Sequence, residues 1–227
     1  MVRAQKSVEK SITNGIGAFL PPASLRQPAQ ELGPRAQHTI MRIVEATREV
    51  FLTHGYAGTT IDEITRIAEV SRASFYTYFP TKREVLLAVG AHSAQEVTAL
   101  IDELADLGRT RIGTTQWVSK YFSFLDVHGA FAFAWTQAAQ NDEEIRLAGM
   151  KRHLKICRSL SGALSKASNK TLEQSEILGL TIVALLERLW FYSGLYAGRI
   201  ARADAIEQAA QVIWSSPRST SSNSTPR

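Results

Sequence analysis

The sequence predicts an all-α protein, on three observations. Apolar residues recur at helical spacing, i, i+3, i+4 and i+7, through most of the chain. No segment alternates apolar and polar residues as a half-buried strand would. The stretch from Thr60 to Leu87 divides into three short helices, each with its own start signal. At 227 residues the chain has room for one domain or two small ones and for a substantial core.

Residues 1–37 mix glycine and proline with Ser, Gln and Ala and predict little fixed structure. Gly15-Ile16-Gly17 is not a nucleotide loop, since no strand precedes it and no third glycine follows. The first helix is expected from about Thr39, because Ile40, Ile43, Val44, Thr47, Val50 and Phe51 share one side, and Gly55 stops it. Thr60 with Glu63 makes a capping box for a second helix, whose apolar side is Ile61, Ile64 and Ala68. After a brief turn at Glu69-Val70, Ser71 caps a third, with Phe75 and Phe79 inward and Pro80 as its stop. Thr81 with Glu84 opens a fourth helix to about residue 106.

Helix, brief turn and second helix form the helix-turn-helix arrangement, whose second helix lies in the DNA major groove. Once Phe75 and Phe79 turn inward, Arg72, Ala73, Ser74, Tyr76, Thr77 and Tyr78 face outward, with Lys82 and Arg83 just beyond. Small side chains, hydroxyls and cations of this kind suit phosphates and base edges better than plain solvent, where Glu and Lys pairs are more usual. Arg72, Ala73 and Ser74 are assigned to base edges, and Thr60, Ser71, Tyr76, Thr77, Tyr78 and Lys82 complete the DNA-binding set.

The run from Phe51 to Leu87 resembles the DNA-binding domain of the TetR family of bacterial transcriptional regulators. The resemblance is carried by Phe51-x-x-x-Gly55-Tyr56, Thr59-Thr60-Ile61, Ile64 with Ala68, Val70-Ser71, and Phe75-Tyr76-x-Tyr78-Phe79-x-x-Lys82, all in order. Glu69 departs from it, standing where the family usually has glycine. A left-handed backbone there would cost a non-glycine residue about 1–2 kcal/mol. The resemblance implies a helix-turn-helix domain over 38–84 and a helical ligand-binding and dimerisation domain over 85–215; composition makes 1–37 a disordered basic arm and 216–227 a low-complexity, disordered tail.

Beyond the fourth helix, Gly108 and Gly113 are expected to bracket a break. Helical patterns follow from Thr115 to Val127 and, after Gly129, to Ala139. A long helix from Asp142 has Ile145, Met150, Leu154, Ile156, Cys157, Leu160 and Leu164 as its inner side, with Asp142, Glu143 and Glu144 favoured at its start by the helix dipole. Ser168-Asn169-Lys170 ends it, and helices over about 171–197 and 203–214 complete the fold. The first of these is apolar on more than one side and so must be buried on more than one side, within the chain or against a partner. The family resemblance implies the partner: a homodimer through the last two helices, with two heads reading a palindromic double-stranded operator.

The same resemblance implies a pocket for a small-molecule inducer after the DNA-binding head, where ligand binding would shift the fourth helix and alter the spacing of the heads. The aromatics there make that ligand largely apolar or aromatic. Trp117, Tyr121, Phe124, Phe131, Trp135 and Trp190 are its candidate contacts, with His128, Gln137, Asn141 and Arg158 to orient it. For any single aromatic, core packing is the competing reading.

Residues 1–37 carry a net charge of +3, 38–83 +1, 84–215 −1 and the tail +2. The basic excess therefore lies at the two ends, as a phosphate-contacting arm or a solvated tail. The single cysteine, Cys157, excludes an intramolecular disulfide and fits a reducing cytoplasm. No uninterrupted apolar run approaches a membrane span, and Ile16 to Leu20 is too short for a signal core. No metal, cofactor or enzymatic chemistry is expected. The five histidines lack HExxH or HxH spacing, Cys157 lies on an apolar helical face, and no G-x-S-x-G is present. What the sequence supports is a DNA-binding regulator, read as a repressor; an activator of the same fold and a non-sequence-specific DNA-binding protein stand as alternatives.

Overall fold

The computed structural model describes residues 33–107, 110–164 and 172–215. The basic arm up to residue 32, the Ser168-Asn169-Lys170 break and the 216–227 tail lie outside the described residues. Among the described residues there are eight helices and no strand. In chain order they are α1 (Pro34–Gly58), α2 (Ile61–Ile67), α3 (Arg72–Tyr78), α4 (Lys82–Asp106), α5 (Arg111–Asn141), α6 (Glu143–Leu164), α7 (Leu172–Leu195) and α8 (Arg202–Ser215).

α1 begins at Pro34, earlier than the Thr39 start read from periodicity. Proline is a favourable first residue of a helix, where its missing N–H is one of the donors that has no partner anyway. The regular helix is interrupted at Gly55, which takes φ 63°. Ile40, Ile43, Val44, Thr47, Val50 and Phe51 are all buried, as their spacing requires.

α5 departs most from the sequence reading. It runs unbroken through Gly113 and Gly129, both of which were expected to mark breaks. The start signal is Thr110, whose hydroxyl accepts from the Gly113 backbone N–H (2.9 Å), so this glycine lies in the first turn. Beyond it Trp117, Val118, Tyr121, Phe122, Leu125 and His128 are buried along one strip at helical spacing, and Ala134 and Ala138 are buried farther on. A helical glycine costs about 1 kcal/mol, and burying one large side chain is worth about 1.5–3 kcal/mol; the strip prevails. α6 opens as its sequence indicates, with the Asp142 carboxylate accepting from the Ile145 N–H (3.1 Å) and Glu143 and Glu144 in the first turn. Met150, placed on its inner side from the sequence, is exposed.

The described residues pack as two units, those within 1–96 with 127–152 and those within 97–126 with 153–227. In the described part of the first, α1, α2 and α3 close over Val85, Leu86 and Val89 of α4, Ala134 and Ala138 of α5 and Ile145 of α6. In the second, Val97, Leu100, Ile101 and Leu104 pack with Trp117, Tyr121, Phe122 and Leu125, with Cys157 and Leu160, with Ile182, Val183 and Leu186, and with Ala209 and Ile213 of α8. Two polar ties fix its register. The Trp117 indole N–H donates to the Leu100 carbonyl (2.7 Å). Asp126 accepts from the Trp190 indole (2.8 Å) and from both terminal nitrogens of Arg202 (2.9 and 2.7 Å).

By length and composition α7 is apolar enough to cross a membrane. Within the second unit it buries Ile182, Val183, Leu186 and Ser193, while Ile177, Leu180, Tyr192 and Leu195 remain exposed.

Candidate nucleic-acid interface

The helix-turn-helix is built from two caps and one turn. Thr60 Oγ1 accepts from the Glu63 N–H (3.2 Å) at the start of α2, and Ser71 Oγ accepts from the Ser74 N–H (3.0 Å) at the start of α3. Between them the Val70 N–H donates to the Thr65 carbonyl (3.0 Å) and the Glu69 N–H to the Arg66 carbonyl (3.2 Å). That pair of bonds is a Schellman motif, which requires a left-handed residue at the position Glu69 occupies. Glu69 takes φ 49°, the one positive φ at a non-glycine residue among the described residues. Its carboxylate accepts from Arg42 of α1 (2.7 Å), so the strained residue also ties the turn to the first helix.

Phe75 and Phe79 are fully buried, 5.9 Å apart between ring centroids, and hold α3 on the core. Arg72, Ala73, Tyr76 and Thr77 are exposed and Ser74 half-exposed, forming the outward face. Arg72 is held at both ends, by an ion pair to Asp62 of α2 and by Tyr76, whose hydroxyl is 3.4 Å from Nη2. Two residues are placed differently from the sequence reading. Tyr78, three positions after Phe75 and so on a neighbouring side, packs half-buried against the core. Lys82 turns its ammonium to the carbonyls of Tyr56 (2.8 Å) and Thr59 (2.9 Å) and sits 4.5 Å from the Tyr56 ring centroid. Desolvation there lowers its pKa.

The ligand candidates divide between the two units. In the second unit Trp117 and Tyr121 are core, their rings 5.2 Å apart, and burial pushes the Tyr121 hydroxyl pKa up. Phe124 and Trp190 pack half-buried at the edge of that core, and Arg158 pairs with Glu176. In the first unit Phe131 and Trp135 lie half-buried, and the Trp135 indole donates to the Ile145 carbonyl (3.2 Å). Gln137 accepts from the Ala57 N–H (2.9 Å) and so anchors the end of α1; Asn141 is exposed.

His128 is buried at Glu96 of α4, with Nε2 2.9 Å from Oε2. His92 approaches the other oxygen of the same carboxylate, Nδ1 to Oε1 at 2.9 Å. Hydrogen bonds from His128 and then His92 hold the Glu96 carboxyl well below the usual carboxylate range, while burial lowers the pKa of His128. No motif spacing reveals this group, because His128 lies 32 residues beyond Glu96.

Comparison with known proteins agrees with this geometry. Residues 43–89 match the model of the bacterial regulatory proteins of the tetR family. The helix-turn-helix transcriptional regulator SrpR of Pseudomonas putida is 35% identical over 98 residues, 43% of this chain and 43% of its own. The uncharacterised regulator TtgW of the same species is also 35% identical over 98 residues, and these make up 69% of its length. The chain belongs to the TetR family. The match spans less than half the length of SrpR. Its fold is also that of FadR from Bacillus subtilis in complex with stearoyl-CoA, at a TM-score of 0.58 and 17% identity, covering 77% of this chain and 97% of that one.

Proposed function

We propose that this TetR-family regulator is a repressor that reads a palindromic operator as a homodimer and is released by a small, largely apolar or aromatic ligand. The observation that carries the DNA-reading part is the division of α3 between two buried rings and an outward row of Arg72, Ala73, Ser74, Tyr76 and Thr77. A helix held from behind and presenting small polar groups and one guanidinium can enter a major groove and reach base edges. Thr60 and Ser71, already capping their helices, stand beside this row as backbone contacts. The functional domains are 38–84 for DNA and 85–215 for ligand and dimer.

The dimer reading is supported by Ile177, Leu180, Leu195 and Val212, large apolar side chains exposed on α7 and α8. A second copy would remove them from water, and sedimentation should find twice the chain mass. For the ligand, Phe124, Arg158 and Trp190 are the candidates in the second unit that are not sealed in its core. The stearoyl-CoA held by FadR indicates that the fold can admit a long apolar chain.

The test is selection of random duplex DNA on the purified chain, followed by affinity measurements on the selected sequences against salt. The expected result is a palindrome with half-sites about one helical turn apart. Tyr76→Ala should then weaken binding by about 1–3 kcal/mol, roughly 5- to 150-fold, in a protein that remains folded. No enriched sequence, with weak binding that collapses as salt rises, would replace the operator reading with non-specific phosphate contact.

A further inference from the structure

We propose that His92, Glu96 and His128 form a binding site for a divalent transition-metal ion, with zinc the best fit to the donor set. His92 and Glu96 are four residues apart on α4 and so share a face, and His128 meets them from α5. One donor atom from each of the three residues can be chosen so that all lie within 4.8 Å of one another. Both imidazole contacts to the carboxylate are 2.9 Å, and the two rings are 5.8 Å apart between centroids. All three residues belong to the first unit.

Ligands bound tetrahedrally at about 2.0–2.2 Å from zinc are separated from one another by roughly 3.3–3.6 Å. The two carboxylate contacts, to different oxygens, need to open by about half an ångström, and donor atoms that lie as much as 4.8 Å apart need to close by roughly 1.2–1.5 Å to admit an ion. The proton balance is simple. The proton on the ring nitrogen facing the carboxylate leaves for solvent if the ring is an imidazolium, or is exchanged through solvent to the other ring nitrogen if it is neutral. A neutral imidazole then presents its freed nitrogen to the ion. Two imidazoles and one carboxylate make the three-ligand set that zinc uses when a fourth position stays open. His128 is the rigid member, its side chain 1% exposed, and Glu96 the accessible one, 47% exposed, so that an ion can enter and water can complete the shell.

One group competes. The Arg48 guanidinium of α1 lies 3.3 Å from His92 Nδ1 and supplies positive charge beside Glu96 in the metal-free form, with Glu45 close enough to act on it. A bound dication would take over that charge, and Arg48 must then turn toward Glu45 or solvent. Its Nε is buried and makes no hydrogen bond in the present arrangement, so little holds that atom in place.

The experiment is titration of the tag-free full chain with cobalt(II), followed by visible absorption, and with zinc, followed by calorimetry and thermal unfolding. The expected result is one ion per chain, a low-coordinate nitrogen–oxygen cobalt spectrum and a zinc-dependent rise in Tm. A thiolate-to-cobalt band would instead implicate Cys157 and overturn the assignment. His128→Gln and Glu96→Gln should each weaken binding by more than the roughly 10- to 100-fold typical of outer-shell changes. His54→Gln, at the separate pair with Glu63, should leave it unchanged. Glu96→Gln keeps the shape and hydrogen-bonding length of the side chain, so its metal-free melt shows that the fold survives. Failure of the folded wild-type chain to bind either ion, or binding that both variants leave intact, would mean that the cluster is only a hydrogen-bonded tie between helices.

Discussion

Gly179→Ala tests a close helix approach in the second unit. A Cβ added at Gly179 of α7 would lie 2.0 Å from the Cys157 carbonyl oxygen of α6 and 2.4 Å from its carbon, and both are backbone atoms. Ordinary contact begins at 3.4 Å, so the two helices must separate by roughly 1.4 Å. Overpacking of this kind costs about 1–3 kcal/mol. Because backbone and not a flexible side chain must move, the upper part of that range applies. Alanine returns about 1 kcal/mol of helix propensity, leaving a net loss near 2 kcal/mol. For a chain of this size that lowers Tm by roughly 4–8 °C. Gly162→Ala, in α6 with nothing within 4 Å of its added Cβ, gains the propensity alone and should raise Tm by roughly 2–3 °C. Thermal and urea unfolding followed by circular dichroism measure both. A Gly179→Ala protein as stable as the wild type would refute the close approach of α6 and α7 at Cys157.

Three further outcomes follow from the packing. Glu69→Gly relieves the left-handed residue of the Schellman turn and loses only an exposed ion pair, so stability should rise by about 0.5–1 kcal/mol in urea unfolding. Lys82→Met leaves two carbonyls without their donor and should destabilise by about 1–3 kcal/mol; the salt slope of DNA binding should stay unchanged, whereas a phosphate contact would lower it by about one. Glu187 of α7 is half-buried, and burial pushes its carboxyl up to about 7, against the smaller opposing effect of Arg188. A carboxyl raised on folding favours the folded state below the unfolded value near 4.5, and that contribution is lost as pH rises through 7. Glu187→Gln should therefore gain stability relative to the wild type between pH 5 and pH 8, by about 2 kcal/mol at the upper end, and a pH-independent difference in Tm would refute it.

The short helices were legible in the sequence because their signals are local. Thr60, Ser71 and Asp142 cap within three residues of themselves, and Phe75 and Phe79 share a face by spacing alone. The continuity of α5 was not, because Gly113 and Gly129 were weighed as punctuation while the buried strip that overrides them is a tertiary effect. Lys82 likewise looked like a phosphate ligand from its neighbours in sequence, but the carbonyls that hold it come from the end of α1 and the residue after it, 23 and 26 positions away. The aromatics grouped by sequence proximity are divided by folding, Trp117 and Tyr121 into one core and Phe131 and Trp135 against the other. His92 and Glu96 show their i, i+4 relation in the sequence; His128 joins them only once α5 packs beside α4.

The seven residues of α3 have an evolutionary consequence. Its attachment rests on Ser71, Phe75, Tyr78 and Phe79, while Ala73 and Thr77 face away and carry no cap and no core contact. Mutation can therefore explore Ala73 and Thr77 with little penalty in folding, and substitutions at the anchors are removed by selection for a folded domain. Under the proposed function, recognition and foldability reside on opposite sides of one short helix. Duplicated copies of such a gene can diverge in what they read while remaining, physically, the same protein.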